Sequence, residues 1–306
     1  MARYATVSSI TFQGIEHEGR DKALERGLSL IDQAAWDKPD LMVLPEVFRD
    51  LCIDMKTIAE TAEPLDGPTV TALAERARKY NCYIVCPFCE KAADGIYNSA
   101  ALIDRKGKVA GVYRKYYPTI GELELGIRPG AELPVFQTDF GRLGIAICFD
   151  LNFHEVMTGL KANGAEIIAF CSMYRGGLQL LDWAFGLRRF IISATPSEHS
   201  RIVDPLGRVL ADSSFYELVI SRRINLDCAV IHIDYNFDCV AQAKKELGTS
   251  LELIVGSPEA RYFLINHDPK TKIDEILRRF KCEPEDVYFK RARAAREEYL
   301  VKNLRK

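Results

Sequence analysis

Glu46, Lys115 and Cys148 have the residue types and local settings needed for nucleophilic chemistry. Cys148 ends the strand-like run Arg142-Leu-Gly-Ile-Ala-Ile-Cys148 and precedes the helix-like stretch Phe149-Asp150-Leu-Asn-Phe-His-Glu155-Val. A thiol at such a strand-to-helix corner faces a cleft, with backbone N–H groups nearby. That setting lowers a thiol pKa and leaves donors for a developing oxyanion. Glu46 follows Leu44-Pro45 at the end of a very apolar run, where a partly desolvated carboxylate suits general-base work near neutral pH. Lys115 closes Val112-Tyr-Arg-Lys115, again at a strand end. In α/β sheets, polar groups at the carboxyl ends of strands converge on the ligand crevice. A base, a cation and a thiol meeting there make a hydrolytic site that proceeds through a thioester.

Each residue also has an ordinary reading. Buried cysteines are common packing residues, a glutamate often opens a helix, and a lysine often ends a strand in solvent. His154, at the start of the helix after Cys148, keeps a Cys–His arrangement open. Cys86-Pro-Phe-Cys89, with Cys82 nearby, has dithiol spacing and raises a thiol oxidoreductase as an alternative. The residues after it, Glu-Lys-Ala-Ala-Asp-Gly, lack the helix that would activate the first thiol, and no fourth metal ligand is evident. A structural strand is the expected reading there, and no metal or cofactor is expected.

The elements that must position these residues alternate between β-rich and helical stretches. Tyr4–Phe12 reads as a strand, and Leu24, Leu28, Ile31 and Ala35 follow on one helical face. Leu41–Leu44 is a buried-type strand, and Gly67-Pro68-Thr69 punctuates a helix whose face carries Val70, Leu73, Ala74 and Ala77. Tyr83–Phe88, Asn98–Asp104 and Val109–Arg114 read as strands. The second half repeats the alternation: strand Leu143–Ile147, helix Phe153–Ala162, strand Glu166–Phe170 and a helix around Leu180–Arg189. Strands at Phe190–Thr195, Arg201–Val203 and Val209–Ala211 complete it. Ile103-Asp-Arg-Lys-Gly-Lys-Val-Ala110 and Val203-Asp-Pro-Leu-Gly-Arg-Val-Leu210 both look like hairpins centred on a glycine, which suggests two similar α/β halves in one domain. Asp-x-x-Gly turns are common, so coincidence is the competing explanation. The expected domain runs over 1–250. Residues 251–306 form an extension packing on it or on a partner subunit, with Phe289, Ala292, Ala295 and Tyr299 along one face of a charged helical tail.

Bulk properties narrow the class. The 306 residues are 48% hydrophobic and 27% charged, as in an ordinary globular protein, with a formal net charge of −2. That charge, without a basic patch, points away from nucleic acid. The N-terminus is too polar for a signal peptide, and no apolar run is long enough for a membrane span. Nine scattered cysteines fit free thiols and a cytoplasmic setting better than a disulfide framework.

Taken in order, the three segments resemble the motifs of the carbon–nitrogen hydrolase (nitrilase) superfamily, whose triad is Glu–Lys–Cys. Leu44-Pro45-Glu46 is similar to the glutamate motif and Tyr113-Arg114-Lys115 to the lysine motif. Gly144-Ile-Ala-Ile-Cys148-Phe149-Asp150-Leu-Asn-Phe-His-Glu155, followed by Asn163-Gly164-Ala165-Glu166-Ile167-Ile168, is similar to the cysteine motif. The resemblance covers about residues 4–235. It implies a four-layer αββα sandwich, a homodimer or higher homo-oligomer, and hydrolysis of a small-molecule C–N bond without a cofactor. By position it implies that Glu46 is the base, Cys148 the nucleophile, and Lys115 with the N–H of Phe149 the oxyanion site. A second glutamate follows the lysine in many members; Glu122 is chosen here, with Glu124 as the alternative. Glu155 is expected to anchor the turn at the head of its helix.

Departures leave the substrate open. Members usually have Pro at the place of His154, Arg at Thr158, and Glu-Asn near Leu187, where this chain has Gly186-Leu-Arg-Arg189; the Ala194–Ser200 connection is shorter than usual. The pair Phe149-Asp150 resembles amidases rather than nitrilases, which carry Trp-Glu there. The arginines of carbamoyl hydrolases are replaced by Leu151 and Asn152. Arg175, beside Tyr174 in Ser172-Met-Tyr-Arg-Gly-Gly177, is a candidate carboxylate binder; a surface arginine before a Gly-Gly turn is the competing reading.

Overall fold

Apolar runs too short for helices become strands, and the amphipathic stretches between them become the helices that cover the sheets. A computed structural model describes residues 2–13 and 19–304. In chain order the first half comprises β1 (Tyr4–Ile10), α1 (Arg20–Ala34), β2 (Leu41–Val43), α2 (Pro68–Tyr80), β3 (Tyr83–Ala92), β4 (Gly95–Ile103) and β5 (Val109–Arg114). Next come α3 (Ile120–Glu124), β6 (Val135–Gln137), β7 (Arg142–Ile147), α4 (His154–Ala162), β8 (Ile167–Cys171), α5 (Gly177–Leu187) and β9 (Phe190–Ala194). Strands β10 (Arg201–Val203), β11 (Val209–Asp212) and β12 (Val219–Asn225) complete this part. The short elements α3 and β6 carry too little periodicity to read from sequence, β12 has Arg222 and Arg223 at its centre, and β3 runs four residues beyond the expected Phe88.

Two six-stranded sheets result, with orders β12-β1-β2-β3-β4-β5 and β11-β10-β9-β8-β7-β6. Their topologies correspond. In the first, β1, β2 and β3 are parallel, and β4 and β5 follow antiparallel. In the second, β7, β8 and β9 are parallel, and β10 and β11 follow antiparallel. The two hairpins resembling each other in sequence occupy equivalent places. Gly107 and Gly207 adopt φ of 72° and 74°, and the carboxylates of Asp104 and Asp204 accept from the backbone N–H groups across each turn. A left-handed position favours glycine, and the short Asp side chain closes the loop. The two halves are therefore similar in topology, as expected.

Each sheet buries its outer face under helices. Leu30 and Ile31 of α1 and Val70 and Leu73 of α2 pack on Met42, Ile84 and Ile103. Met157 and Leu160 of α4 and Leu180 and Trp183 of α5 pack on Ala146, Ile168 and Phe170. The inner faces meet, with β2 against β8 and β9. Strands covered on both sides are apolar throughout, as the fully buried β2 and β8 show. This is the two-sheet, helix-flanked α/β architecture expected.

Contacts divide the chain into Ala5–Ile224, and Asn225 onward together with the segment ending at Tyr4. The second unit holds β13 (Cys228–His232), α6 (Phe237–Leu247), β14 (Leu251–Gly256), β15 (Arg261–Asn266), α7 (Ile273–Phe280) and α8 (Glu285–Leu304). The expected boundary at 250/251 cuts through this body. Val240 and Ala243 of α6 and Ile231 of β13 share one core with Leu264, Ile276 and Phe280. The same core brings Cys239 and Cys282 to a Cα separation of 5.7 Å and joins them as a disulfide, against the expectation of free thiols throughout. In α8, Phe289 is half-buried while Ala292, Ala295 and Tyr299 are exposed, the pattern of a solvated helix. No helix of the described residues is long and apolar enough to cross a membrane.

Candidate active site

Glu46, Lys115 and Cys148 lie at strand ends, and the backbone is strained beside two of them. Val47, just after Glu46, has φ 39°, and Cys148 itself has φ 47°. Left-handed conformations in non-glycine residues concentrate at functional sites, where surrounding structure holds them in place. At Cys148 the holding group is Asp150, which is fully buried. Its Oδ2 accepts from Ile147 N–H at 2.9 Å and from the Tyr113 hydroxyl at 2.6 Å, and its Oδ1 from Tyr117 N–H at 2.8 Å. One carboxylate thus ties the cysteine corner to the segment that carries Lys115. Burial pushes its carboxyl up to about 6, although these three donors pull the other way.

Beyond Glu46 the chain is anchored by a buried ionic cluster. Arg49 Nη1 donates to Glu63 Oε1 at 2.6 Å, and Arg20 reaches Asp50 at 2.6 Å and Glu63 at 2.8 Å. On the lysine side, Lys115 N–H donates to Asn98 O and Gly130 N–H to Lys115 O, both at 2.8 Å. The segments on both sides of the site are therefore anchored, by buried ion pairs after Glu46 and by backbone hydrogen bonds at Lys115.

The side chains form one connected cluster. Lys115 is 1% exposed, and its Nζ donates to Glu46 Oε1 and to Glu122 Oε2, each at 2.8 Å. An ammonium has three donors, so one is left beyond these two bonds. Glu122 sits in the first turn of α3 in a capping box with Thr119, whose N–H and hydroxyl donate to Oε2 at 2.7 and 2.9 Å. Glu124 is exposed, so Glu122 is the glutamate on the lysine. Asn98 Nδ2 donates to Glu46 Oε1 at 2.7 Å and to Glu122 Oε1 at 2.8 Å. Met173 N–H, just beyond β8, donates to Glu46 Oε2 at 3.0 Å and also reaches the Cys148 sulfur. The Cys148 thiol lies close enough to Glu46 for the carboxylate to raise its pKa.

Electrostatics follow from this geometry. Burial opposes the Lys115 charge, but Glu46 and Glu122 outweigh it and raise its proton affinity. Burial likewise works against an ionised Glu122, yet Lys115, Asn98 and Thr119 hold its carboxyl below the ordinary range. The expectation of a lowered Cys148 pKa is overturned. Burial, and then the charge of Glu46, push the thiol up to about 12 against the opposing pull of Lys115 and Met173 N–H. The corner geometry is as expected, but the carboxylate at the sulfur outweighs the helix-start donors. The resting group is a thiol beside a carboxylate.

The remaining expected residues are dispersed. Phe149 is half-buried and packs edge-on against Phe153. Tyr174 is half-buried close to Cys148, and burial, then proximity to Cys148, pushes its phenol up to about 12. Arg175 is exposed, with Nε donating to Glu198 O at 3.0 Å. Glu155 accepts from the Tyr117 hydroxyl at 2.5 Å, at the head of α4. His154 is exposed against Trp183, which removes the support for a Cys–His pair. Cys86 and Cys89 are both buried in β3 and belong to different apolar clusters, as odd spacing on a strand requires. Burial pushes the Cys89 thiol up to about 12 and raises that of Cys86 as well, the opposite of an activated dithiol.

Asn98, Arg49 and Asp50 went unmarked in the sequence reading. Asn98 had a signal: it is a polar residue inside the apolar run Ile96-Tyr-Asn-Ser-Ala-Ala-Leu-Ile, and buried polar groups need partners.

Comparison with known proteins gives the family. The carbon–nitrogen hydrolase family model matches residues 13–229. A probable nitrilase of Schizosaccharomyces pombe is 30% identical over 210 residues, covering 62% of this chain and 77% of that protein. The omega-amidase NIT2 of Xenopus tropicalis is 24% identical over 234 residues, covering 68% and 84%. The crystal structure of Saccharomyces cerevisiae Nit3, a nitrilase-superfamily member, superposes with a TM-score of 0.65 at 22% identity, covering 73% of this chain and 90% of that one.

Proposed function

Because the chain belongs to the carbon–nitrogen hydrolase family, we propose that it cleaves a small linear amide or carbamoyl compound through a thioester on Cys148. The observation that carries this reading is the division of labour on Glu46. Its Oε1 accepts from Lys115 and Asn98, while Oε2 accepts, among the described residues, only from Met173 N–H, which also faces the Cys148 sulfur. The base therefore keeps one oxygen for the thiol proton.

The steps follow from the chemistry. The Cys148 thiol passes its proton to Glu46 Oε2 as sulfur attacks the carbonyl carbon, which balances the thiol's high proton affinity by transferring and attacking together. The oxyanion takes the third donor of Lys115 and the N–H of Phe149, which heads a short turn whose first N–H groups have no intrahelical acceptor. As the tetrahedral adduct collapses, Glu46 returns the proton to the leaving nitrogen, and ammonia or an amine departs. Water then enters, Glu46 takes its proton, and hydroxide attack on the thioester releases the acid and restores the thiol. Glu122 holds Lys115 in place through 2.8 Å of contact without touching the reacting atoms.

Phe149-Asp150 supports an amide over a nitrile; the relatives include both an omega-amidase and a probable nitrilase. The aromatic pair Phe149 and Tyr174 is proposed to line the substrate side, with Arg175 outside it as a candidate for a carboxylate end. The test is ammonia release from a panel of small amides, ureido compounds and nitriles, with intact mass spectrometry of the protein. The expected result is turnover of an amide or ureido compound with an acyl adduct on Cys148, both lost in Cys148→Ala. Turnover that survives Cys148→Ala and disappears with Cys86 or Cys89 would refute the proposal.

A further inference from the structure

Asn98 is 5% exposed, yet its Oδ1 is buried with no hydrogen-bond partner, while its single Nδ2 serves two carboxylates. Buried polar atoms are nearly always satisfied, so an orphaned acceptor at the centre of a site calls for a reason. The reason is visible in the alternatives. Turning the amide over would satisfy nothing and would point Oδ1 at Glu46 and Glu122, two acceptors facing a third. The side chain leaves its oxygen unpaired in order to give both N–H groups to the glutamates.

The bond to Glu46 falls on a particular oxygen. Oε1 accepts from Asn98 Nδ2 and from Lys115 Nζ. A proton on Oε1 would face two side-chain donors, whereas a proton on Oε2 faces the single Met173 N–H and leaves Oε1 as the acceptor both Lys115 and Asn98 need. We infer that Asn98 is a positioning residue that confines the catalytic proton to Oε2 of Glu46 and couples the two glutamates as ionised acceptors. The inference rests on the reading of Glu46 as the base. The proton travels from Cys148 Sγ to Oε2 and from Oε2 to the leaving nitrogen, with no net change at Asn98, which touches neither substrate nor sulfur.

The titratable groups facing the pair are Lys115, Cys148, Cys171 and Tyr174 around Glu46, and Lys115 and Cys89 around Glu122. The thiols and the phenol are all raised and stay neutral below pH 8, so Lys115 is the only cation among them. Asn98→Asp keeps the shape and replaces a shared donor with a third negative charge. That carboxylate cluster must then hold a proton that the native site does not.

The experiment measures the pH dependence of turnover and of thermal unfolding for wild type, Asn98→Asp and the smaller, uncharged Asn98→Ser. In Asn98→Asp the acid limb of kcat is expected to move up by about one pH unit or more, with kcat at pH 7 down about 10- to 100-fold and KM within about threefold. Its melting temperature is expected to fall as pH rises from about 5 to 7, because the folded cluster then binds more protons than the unfolded chain. Asn98→Ser is expected to lower kcat about tenfold or more without that reversed slope. A uniform drop in melting temperature at every pH, with the acid limb unmoved, would make Asn98 merely structural and overturn the inference. The unfolding measurement needs no substrate. An amide panel that wild type does not hydrolyse therefore counts against the proposed function, while the slope still decides the role of Asn98. Should Asn98→Asp fail to fold at neutral pH, folding recovered at pH 5 supports the inference, and failure at both overturns it when Asn98→Ser folds and retains wild-type kcat.

Discussion

Glu46→Gln separates two consequences of one carboxylate that act in opposite directions. In the resting site, burial and then the charge of Glu46 push the Cys148 thiol up to about 12. Glutamine keeps an acceptor oxygen for Asn98 and Lys115 but removes the charge. Its amide nitrogen turns donors toward the sulfur, and Met173 N–H, which bonds Oε2 at 3.0 Å, is left to the sulfur alone. All three changes favour the thiolate. A unit charge about 4 Å away at an effective dielectric near 20 is worth at most about 4 kcal/mol, or about 3 pK units. A fall of that size raises the thiolate fraction at pH 8 about a thousandfold. Intrinsic nucleophilicity falls with a Brønsted slope of about 0.45, which leaves a net gain of about 50-fold, or about 5- to 10-fold for half the shift. Amide turnover moves the other way, by about 100- to 10,000-fold, because no group then accepts and returns the proton. The assay is iodoacetamide alkylation read on the Cys148 peptide by mass spectrometry, beside ammonia release from the best substrate. Reading the peptide matters because Cys52 and Cys228 are also half-buried. Slower alkylation in Glu46→Gln would mean that Glu46 activates the thiol in the free enzyme, and unchanged turnover would remove it as the base.

Two further outcomes test the supports of the site. Lys115→Met leaves Glu46 and Glu122 facing each other across Asn98 Nδ2, and breaking such a buried pair costs about 3–5 kcal/mol. In wild type the lowered Glu122 carboxyl contributes stability that is present above the ordinary carboxylate range and lost only as pH falls through its depressed value. In the variant, burial and repulsion raise that carboxyl instead, so melting temperature should fall as pH rises from about 4 to 7, measured by scanning fluorimetry; a slope like wild type refutes the account. Asp150→Asn cannot accept from Ile147 N–H, Tyr113 and Tyr117 N–H together, so at least one bond is lost, with a cost of about 1–3 kcal/mol. The cysteine corner loosens, and kcat should fall about tenfold or more while the Lys115 ion pairs persist; unchanged kcat and melting temperature would show that Asp150 does not hold the corner.

Much of the fold was legible because strands covered on both faces must be apolar throughout, and Leu41–Val43 and Ile167–Cys171 are. The hairpins at Gly107 and Gly207 were legible because one backbone geometry demands one residue pattern. The unit boundary was not legible. Helix α6 packs with β14, β15 and α7, and its choice of partner depends on three-dimensional complementarity that no local period encodes. For the same reason the Cys239–Cys282 pairing was missed, since the two cysteines are 43 residues apart.

By itself the sequence determined the α/β alternation, the two similar halves and the family, and it marked Glu46, Lys115 and Cys148 as candidates, because these rest on local residue types and spacing. Only the tertiary structure decided which glutamate bonds Lys115, that Asn98 bridges both carboxylates, and that the thiol rests protonated. Those outcomes depend on burial and on charges a few ångströms apart, brought together from segments as distant as Glu46 and Met173.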